Sequence, residues 1–314
     1  MPKKDQRIIF LGNPEFAQFH LQRFVEEGFN IVAVITAPDK PAGRGNKINS
    51  TPVTKYARKN NIPVLQPPNL KNPEFIEELR SYKADIQVVI AFRMLPEVVW
   101  DMPPMGTVNL HGSLLPQYRG AAPIHWAIIN GEQVTGVTSF KLKHVIDTGN
   151  ILLQKSIAIE PKETTGSLHD KLMHLGAATM IETLDGLFDG SLEEKEQLEI
   201  SDEELKPAPK IFSETCEIDW NEPAEKIERL IRGLNPFPSA FTELNGLRTK
   251  IHMSDLGPDY PQAKAGDLIS DGKTFLHVVC GIASVSLLEV QPAGKTRMNI
   301  DEFLRGYGQK LSLM

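Results

Sequence analysis

Residues 7–35 read RIIFLGNPEFAQFHLQRFVEEGFNIVAVI, and their periodicity decides the fold class. After its arginine, Arg7–Leu11 is an unbroken apolar run, the pattern of a strand buried on both faces; Ile31–Ile35 (IVAVI) is a second. Between them Phe16, Phe19, Phe24 and Val25 recur at near-helical spacing. Strand, helix and strand in this order make a crossover unit, and such units build parallel sheets covered by helices. Working outward, Ile86–Ala91 (IQVVIA) is a third strand and Thr107–Leu110 a fourth, with a helix over Pro73–Tyr82 between these regions. Gly136–Phe140 and Ile151–Ala158 extend the sheet.

Ser167–Phe188 then reads as a long amphipathic helix. Ser167 and Asp170 suggest its capping box, and Leu168, Leu172, Leu175, Ala178, Ile181, Leu184 and Leu187 form one apolar face. The stretch SLEEKEQLEISDEELKPAP, residues 191–209, carries seven acidic residues and two lysines, and reads as a solvated boundary between two domains. Beyond it Asn221 and Pro223 open a short helix with Ile227, Leu230 and Ile231 on one face. Short strands follow at Lys250–Met253, Asp267–Ile269, Phe275–Cys280 and Ser284–Val290, the pattern of a small barrel or open sheet. The division expected is thus 1–190, a linker 191–208, and 209–314.

The 314 residues are 41% hydrophobic and 24% charged, which excludes wholesale disorder and fits two domains. A net charge of −6 argues against a general nucleic-acid coat. That charge is unevenly spread: +1 over 1–190, −5 over 191–208 and −2 over 209–314. Within the first segment, Thr36–Lys59 alone holds six basic residues against one acidic, in a Pro- and Gly-rich stretch expected to be exposed and mobile. Such a loop suits a phosphate backbone, or is a solvated surface. No run approaches the ~18 apolar residues of a membrane helix. The apolar run near the N-terminus is too short for a signal peptide. Two widely spaced cysteines, Cys216 and Cys280, fit free thiols in the cytosol.

Several chemistries fall away. Gly12 is one glycine where a dinucleotide fingerprint needs three, and no GxxxxGK[ST], HExxH or GxSxG occurs. His20, His125, His144, His169, His174, His252 and His277 have no metal-ligand spacing and read as structural. The densest polar stretch is NLHGSLLPQYRG, residues 109–120, just past a strand end, where open α/β sheets bind ligands. Asn109 and His111 are two apart, so an extended backbone projects both to one side. Two donors there can bind one developing oxyanion, or cap the strand end. Asp147, in VIDTG (145–149), can orient His111 and favour its charged form, or simply make a turn.

Together these motifs resemble the formyltransferase family that uses 10-formyltetrahydrofolate. The match rests on Asn109-x-His111, Ser113-Leu-Leu-Pro116 and Asp147-Thr-Gly149. It extends to Gly12–Ala17, Pro41–Gly45 with Ser50–Val53, Tyr118–Trp126, Ile218–Trp220 and Arg232–Pro236, spanning about residues 6–310. Ala91–Pro96, Phe237 and Ser239 depart from residues often found in the family, without touching the three polar residues. The resemblance implies a Rossmann-like α/β domain with a mostly parallel sheet, followed by an OB-like β-barrel domain that binds tRNA. It implies transfer of a formyl group from 10-formyltetrahydrofolate, a co-substrate, to the free amine of methionine esterified to initiator tRNA, in the cytoplasm, by a monomer, with no metal. Asn109, His111 and Asp147 would be catalytic. Ser113, Leu114, Leu115, Pro116, Arg93, Met94 and Leu95 would border the folate, and Arg44, Lys40 and Lys47 would meet the tRNA. An amino-sugar nucleotide or glycinamide ribonucleotide as acceptor, or a non-catalytic RNA-binding protein, are the competing readings.

Overall fold

The computed structural model describes residues 5–42, 47–198, 201, 203–244 and 246–311. The strands of the first half are β1 (Arg7–Gly12), β2 (Asn30–Ile35), β3 (Lys40–Ala42), β4 (Lys47–Asn49), β5 (Val64–Leu65), β6 (Ile86–Ile90), β7 (Thr107–His111), β8 (Val134–Lys141) and β9 (Ile151–Ala158). The helices are α1 (Glu15–Glu26), α2 (Pro52–Lys59), α3 (Pro73–Ser81), α4 (Glu97–Trp100), α5 (Pro123–Ile129) and α6 (Thr165–Asp189).

Seven strands form one sheet in the order β5-β2-β1-β6-β7-β8-β9. The pairs among β5, β2, β1, β6 and β7 are parallel, and β8 runs antiparallel to β7. This is the mostly parallel sheet that the apolar runs demand. Ile8, Phe10, Leu11, Ile86, Val88 and Ile90 are wholly buried, because helices cover both faces. Burying each such side chain contributes about 1.5–3 kcal/mol. The chain leaves β1 for β2 on one side and returns to β6 on the other. That reversal opens the crevice in which α/β sheets hold ligands. Gly12 closes β1 there: a Cβ on it would lie 2.5 Å from the Ala17 Cβ and 2.9 Å from the Ile90 carbonyl oxygen.

Helix α1 turns inward by Ala17, His20, Leu21 and Phe24, whereas Phe16, Phe19 and Val25 are only partly buried. The aromatic spacing located the helix but not its buried stripe. His20 is wholly buried and donates from Nδ1 to the Phe16 carbonyl at 2.7 Å, a structural role. The capping box of α6 sits one turn earlier than the sequence suggests: Ser167 N donates to Thr164 Oγ1 and Thr164 N to Ser167 Oγ. The basic stretch expected to be a mobile loop carries a hairpin, in which Lys40 pairs with Asn49 and Ala42 with Lys47.

After α7 (Ala224–Gly233) come β10 (Ala240–Leu244), β11 (Leu247–Gly257), β12 (Leu268–Ser270), β13 (Leu276–Val279), β14 (Ser284–Pro292), β15 (Met298–Asn299) and α8 (Ile300–Tyr307). They form an antiparallel six-stranded sheet in the order β10-β11-β14-β13-β12, with β15 on β14. Ile227, Ile231, Ile251, Leu276, Val285, Leu287, Val290 and Phe303 fill its core. The chain divides into two compact units, 1–119 with 136–156 and 171–206, and 120–135 with 157–170 and 207–314. Residues 120–135 and 157–170 therefore group with the C-terminal segment.

Candidate active site

Strand β7 delivers the polar pair. Its odd positions Thr107, Asn109 and His111 share one face, with Asn109 partly and His111 almost wholly buried. In register, Asn109 lies opposite Val89 of β6 and Phe140 of β8, and His111 opposite Thr138. His111 Nε2 lies 2.7 Å from the Tyr118 carbonyl oxygen, which can only accept, so that nitrogen carries the proton. The other ring nitrogen, Nδ1, faces Asp147 Oδ2 at 3.7 Å. Both side chains are nearly shut off from water, at 8% and 12% exposed. The separation exceeds a hydrogen bond.

Both partners of His111 sit on left-handed backbone, with φ of 60° at Tyr118 and 55° at Asp147. A residue with a Cβ holds that conformation only where its surroundings enforce it, at a cost on the order of 1–3 kcal/mol. Gly149 enforces one side. A Cβ there would lie 1.5 Å from the Lys141 carbonyl oxygen, so the chain can pass only as glycine. Gln197 enforces another, donating to the carbonyls of Asp147 at 2.8 Å and Gly149 at 2.9 Å.

The turn after His111 is built by β8 and β9. Thr138 Oγ1 donates to the Ser113 carbonyl at 2.7 Å and accepts from Leu115 N at 3.1 Å. Gln154 Nε2 donates to the Leu115 carbonyl at 2.8 Å. Ser113 Oγ donates to the Gln117 carbonyl at 2.7 Å, and the Leu115–Pro116 bond is cis. Ser113, Leu115 and Pro116 are buried and Leu114 partly so. Beyond β6, Arg93 donates to the carbonyls of Pro67 and Pro68 at 2.5 and 3.0 Å. That pins the following loop, in which Leu95 packs on the core and Met94 is 73% exposed.

Described residues of the acidic stretch expected to be a solvated boundary, up to Lys206, instead group with the first unit. Lys195 and Ile151 exchange backbone hydrogen bonds. Glu194 pairs with Lys141 at 2.7 Å, and that cation together with Asn150 holds the Glu194 carboxyl below its usual range. Gln117 Nε2 donates to the Glu204 carbonyl, and Tyr118 N to the Lys206 carbonyl at 2.7 Å. The sequence carried no signal for Gln197, Thr138 or Gln154, because polar residues in loops and on strands look alike until the register is known.

Of the basic residues, Lys40 is exposed at the start of β3, Lys47 opens β4, and Arg44 lies outside the described residues. The base of the hairpin is fixed by Asp39, which accepts from Gln66 at 2.8 Å and Arg58 at 3.1 Å; these bonds, that to Gln66 first, keep its carboxyl below the usual range. Among the described residues, no group of three or more His, Cys, Asp or Glu side chains is arranged to hold a metal. No described helix is long and apolar enough to cross a membrane.

A mostly parallel sheet with polar side chains gathered past one strand end is shared by many α/β enzymes, and similarity to known proteins narrows the class to formyl-group transferases. Residues 6–184 match the formyl transferase family and residues 210–308 the formyl transferase C-terminal domain. The chain belongs to this family. Its relatives include the methionyl-tRNA formyltransferase of Bacteroides fragilis, 51% identical over 313 residues, 98% of this chain and 97% of that one. That of Bacteroides thetaiotaomicron is 48% identical over the same coverage of 98% and 97%. Among solved structures, an N-formyltransferase from Helicobacter canadensis in complex with folinic acid and dTDP-3-aminofucose superposes with a TM-score of 0.69. It is 20% identical and covers 91% of this chain and 99% of its own, a likeness of fold.

Proposed function

We propose that this chain transfers the formyl group of 10-formyltetrahydrofolate to the α-amino group of methionine on initiator tRNA, giving N-formylmethionyl-tRNA. The observation that carries this is the convergence of Asn109, His111 and Asp147 at one strand end, in a chain similar over its whole length to methionyl-tRNA formyltransferases. The formyl carbon on N10 is amide-like and a poor electrophile. Attack by the amine gives a tetrahedral intermediate whose oxygen carries the negative charge. Asn109 and His111 donate to that oxygen, each worth on the order of 2.7–4 kcal/mol. The Tyr118 carbonyl holds the opposite ring N–H, so Nδ1 is the edge left for chemistry. Asp147 aligns the imidazole and accepts the proton that the attacking amine must lose. The intermediate then collapses: the bond from carbon to N10 breaks, N10 takes up the proton that Asp147 accepted, and the new C–N bond remains. No step calls for a metal.

Ser113, Leu114, Leu115 and Pro116 border the folate, with the backbone of Arg93, Met94 and Leu95 on its pterin side. Lys40, Lys47 and Arg44 grip the acceptor end of the tRNA through its phosphates. Residues 1–190 form the catalytic domain, 191–208 join it to residues 209–314, and the last segment adds tRNA contacts from Arg248 and Lys250. Formylation of a charged tRNA takes place in the cytoplasm and needs one copy of the chain. Offering methionyl-tRNA, an amino-sugar nucleotide and glycinamide ribonucleotide side by side, with labelled 10-formyltetrahydrofolate, tests the choice of acceptor. Label is expected on methionyl-tRNA, and label on either small amine instead overturns it.

A further inference from the structure

We propose that Gln197 is a positioning residue for the Asp147–His111 pair; this rests on the formyl-transfer function proposed above. Its side-chain amide joins the two loops that define the site. Nε2 uses both protons on the Asp147 and Gly149 carbonyls, at 2.8 and 2.9 Å. Oε1 accepts from Arg119 Nη2 at 2.6 Å. Arg119 follows Tyr118, whose carbonyl holds the far side of the His111 ring. One residue thus ties the backbone beneath the carboxylate to the backbone that orients the imidazole.

The chemistry of the contact selects glutamine. Two carbonyl acceptors and one guanidinium donor call for a neutral group with two protons and one acceptor oxygen. A carboxylate would keep the arginine but turn an oxygen on the two carbonyls. An alanine would release both loops. Asp147 needs the support, because its φ of 55° is disfavoured for any residue with a Cβ. Gln197 is itself delivered by a fixed segment: the Lys195–Ile151 backbone pair and the Glu194–Lys141 ion pair precede it by two and three residues.

The test is the steady-state kinetics of formyl transfer from 10-formyltetrahydrofolate to methionyl-tRNA by the full-length chain, with melting curves for each variant. Gln197→Ala and Gln197→Glu are each expected to lower kcat on the order of 10–100-fold, the scale for displacing a reacting group by about an ångström. KM for both substrates should stay within about threefold, since no substrate contact is removed. The decisive readout is a double-mutant cycle. On an Asp147→Asn background, Gln197→Ala should change kcat by less than about twofold, because the group it positions is already lost. A purely structural glutamine would lower both backgrounds alike, and that result overturns the proposal. So does wild-type kcat in Gln197→Ala. If Gln197→Ala does not fold, Gln197→Glu, which keeps the volume and the arginine contact, carries the same cycle with the same two outcomes. Wild-type chain that transfers no formyl group to methionyl-tRNA overturns the proposed function and this proposal with it; an active wild type with a silent Gln197 overturns this proposal alone.

Discussion

His111 gives its Nε2 proton to the Tyr118 carbonyl over 2.7 Å, and this commits Nδ1 to the side of Asp147. A ring fixed at one edge has a single edge left to meet a developing oxyanion. His111→Ala and Asn109→Ala should therefore each lower kcat on the order of 100–1000-fold while leaving KM for both substrates nearly unchanged, because the lost interaction strengthens only in the transition state. Initial rates at saturating substrates measure this, and a KM effect without a kcat effect would remove both residues from the chemistry.

Gly149 faces the Lys141 carbonyl so closely that a methyl group would sit 1.5 Å from it. Gly149→Ala must push the Asp147 turn outward or distort the start of the loop. The expected cost is about 2–4 kcal/mol of stability, the upper range for a single backbone clash, with loss of most activity. Urea unfolding and the initial rate on one preparation check both. A stable, fully active variant would show that the turn can relax.

The C-terminal unit should weaken in mild acid. Burial pushes the His125 imidazole below its usual value, against a partly opposing bond from its Nε2 to the Phe237 carbonyl at 3.3 Å. Burial likewise lowers His252. A depressed folded value means the unfolded chain takes up these protons first as pH falls. Their stabilisation is thus full above the ordinary histidine value of about 6.5, and is lost progressively below it, until the folded values are passed. The slope cannot exceed about 1.4 kcal/mol per pH unit for each histidine. Melting temperature should fall between pH 7.5 and 5.5, and His125→Gln should flatten the decline. An unchanged slope would mean that His125 titrates alike in both states.

Both thiols should be silent in the native chain. Cys216 and Cys280 are 3% and 5% exposed, and burial pushes Cys280 up to about 11 and raises Cys216 as well. Reaction requires the thiolate. Ellman's reagent at pH 8 should find no fast thiol in the folded protein and both after unfolding. A fast native thiol would show that the second unit opens readily.

Lys40 is exposed at the foot of the β3–β4 hairpin, whose base is fixed by Asp39, Gln66 and Arg58. If it meets a phosphate, Lys40→Glu should raise KM for methionyl-tRNA without changing KM for the folate. It should also reduce the slope of log affinity against log salt by about one. An unchanged salt slope would remove it from the tRNA contact.

The sequence located elements well and long-range contacts poorly. Continuous apolar runs such as Ile8–Leu11 are legible because both faces of a central parallel strand are buried. Asn109 and His111 were legible because two-residue spacing on a strand fixes their common side. Whether Asp147 meets His111 depends on the loop between β8 and β9, and the pair lie 36 positions apart in the chain; the residues alone left a plain turn open, and the resemblance favoured the pairing. Gln197 was hidden inside a stretch that looks like solvated linker, since seven carboxylates mask one amide. Strand β10, Ala240–Leu244, is not legible in the sequence because five residues broken by Thr242 and Glu243 give too short an alternation.

The central claim is that Asp147 and His111 act as a pair in moving a formyl group to methionyl-tRNA. A single-turnover experiment tests it most directly, with enzyme in excess over methionyl-tRNA and saturating 10-formyltetrahydrofolate, for wild type and Asp147→Asn. Wild type should form N-formylmethionyl-tRNA, and the asparagine variant should do so at least about 100-fold more slowly, as expected for removal of a general base. Equal rate constants, or no formylated tRNA from wild type, would contradict the account.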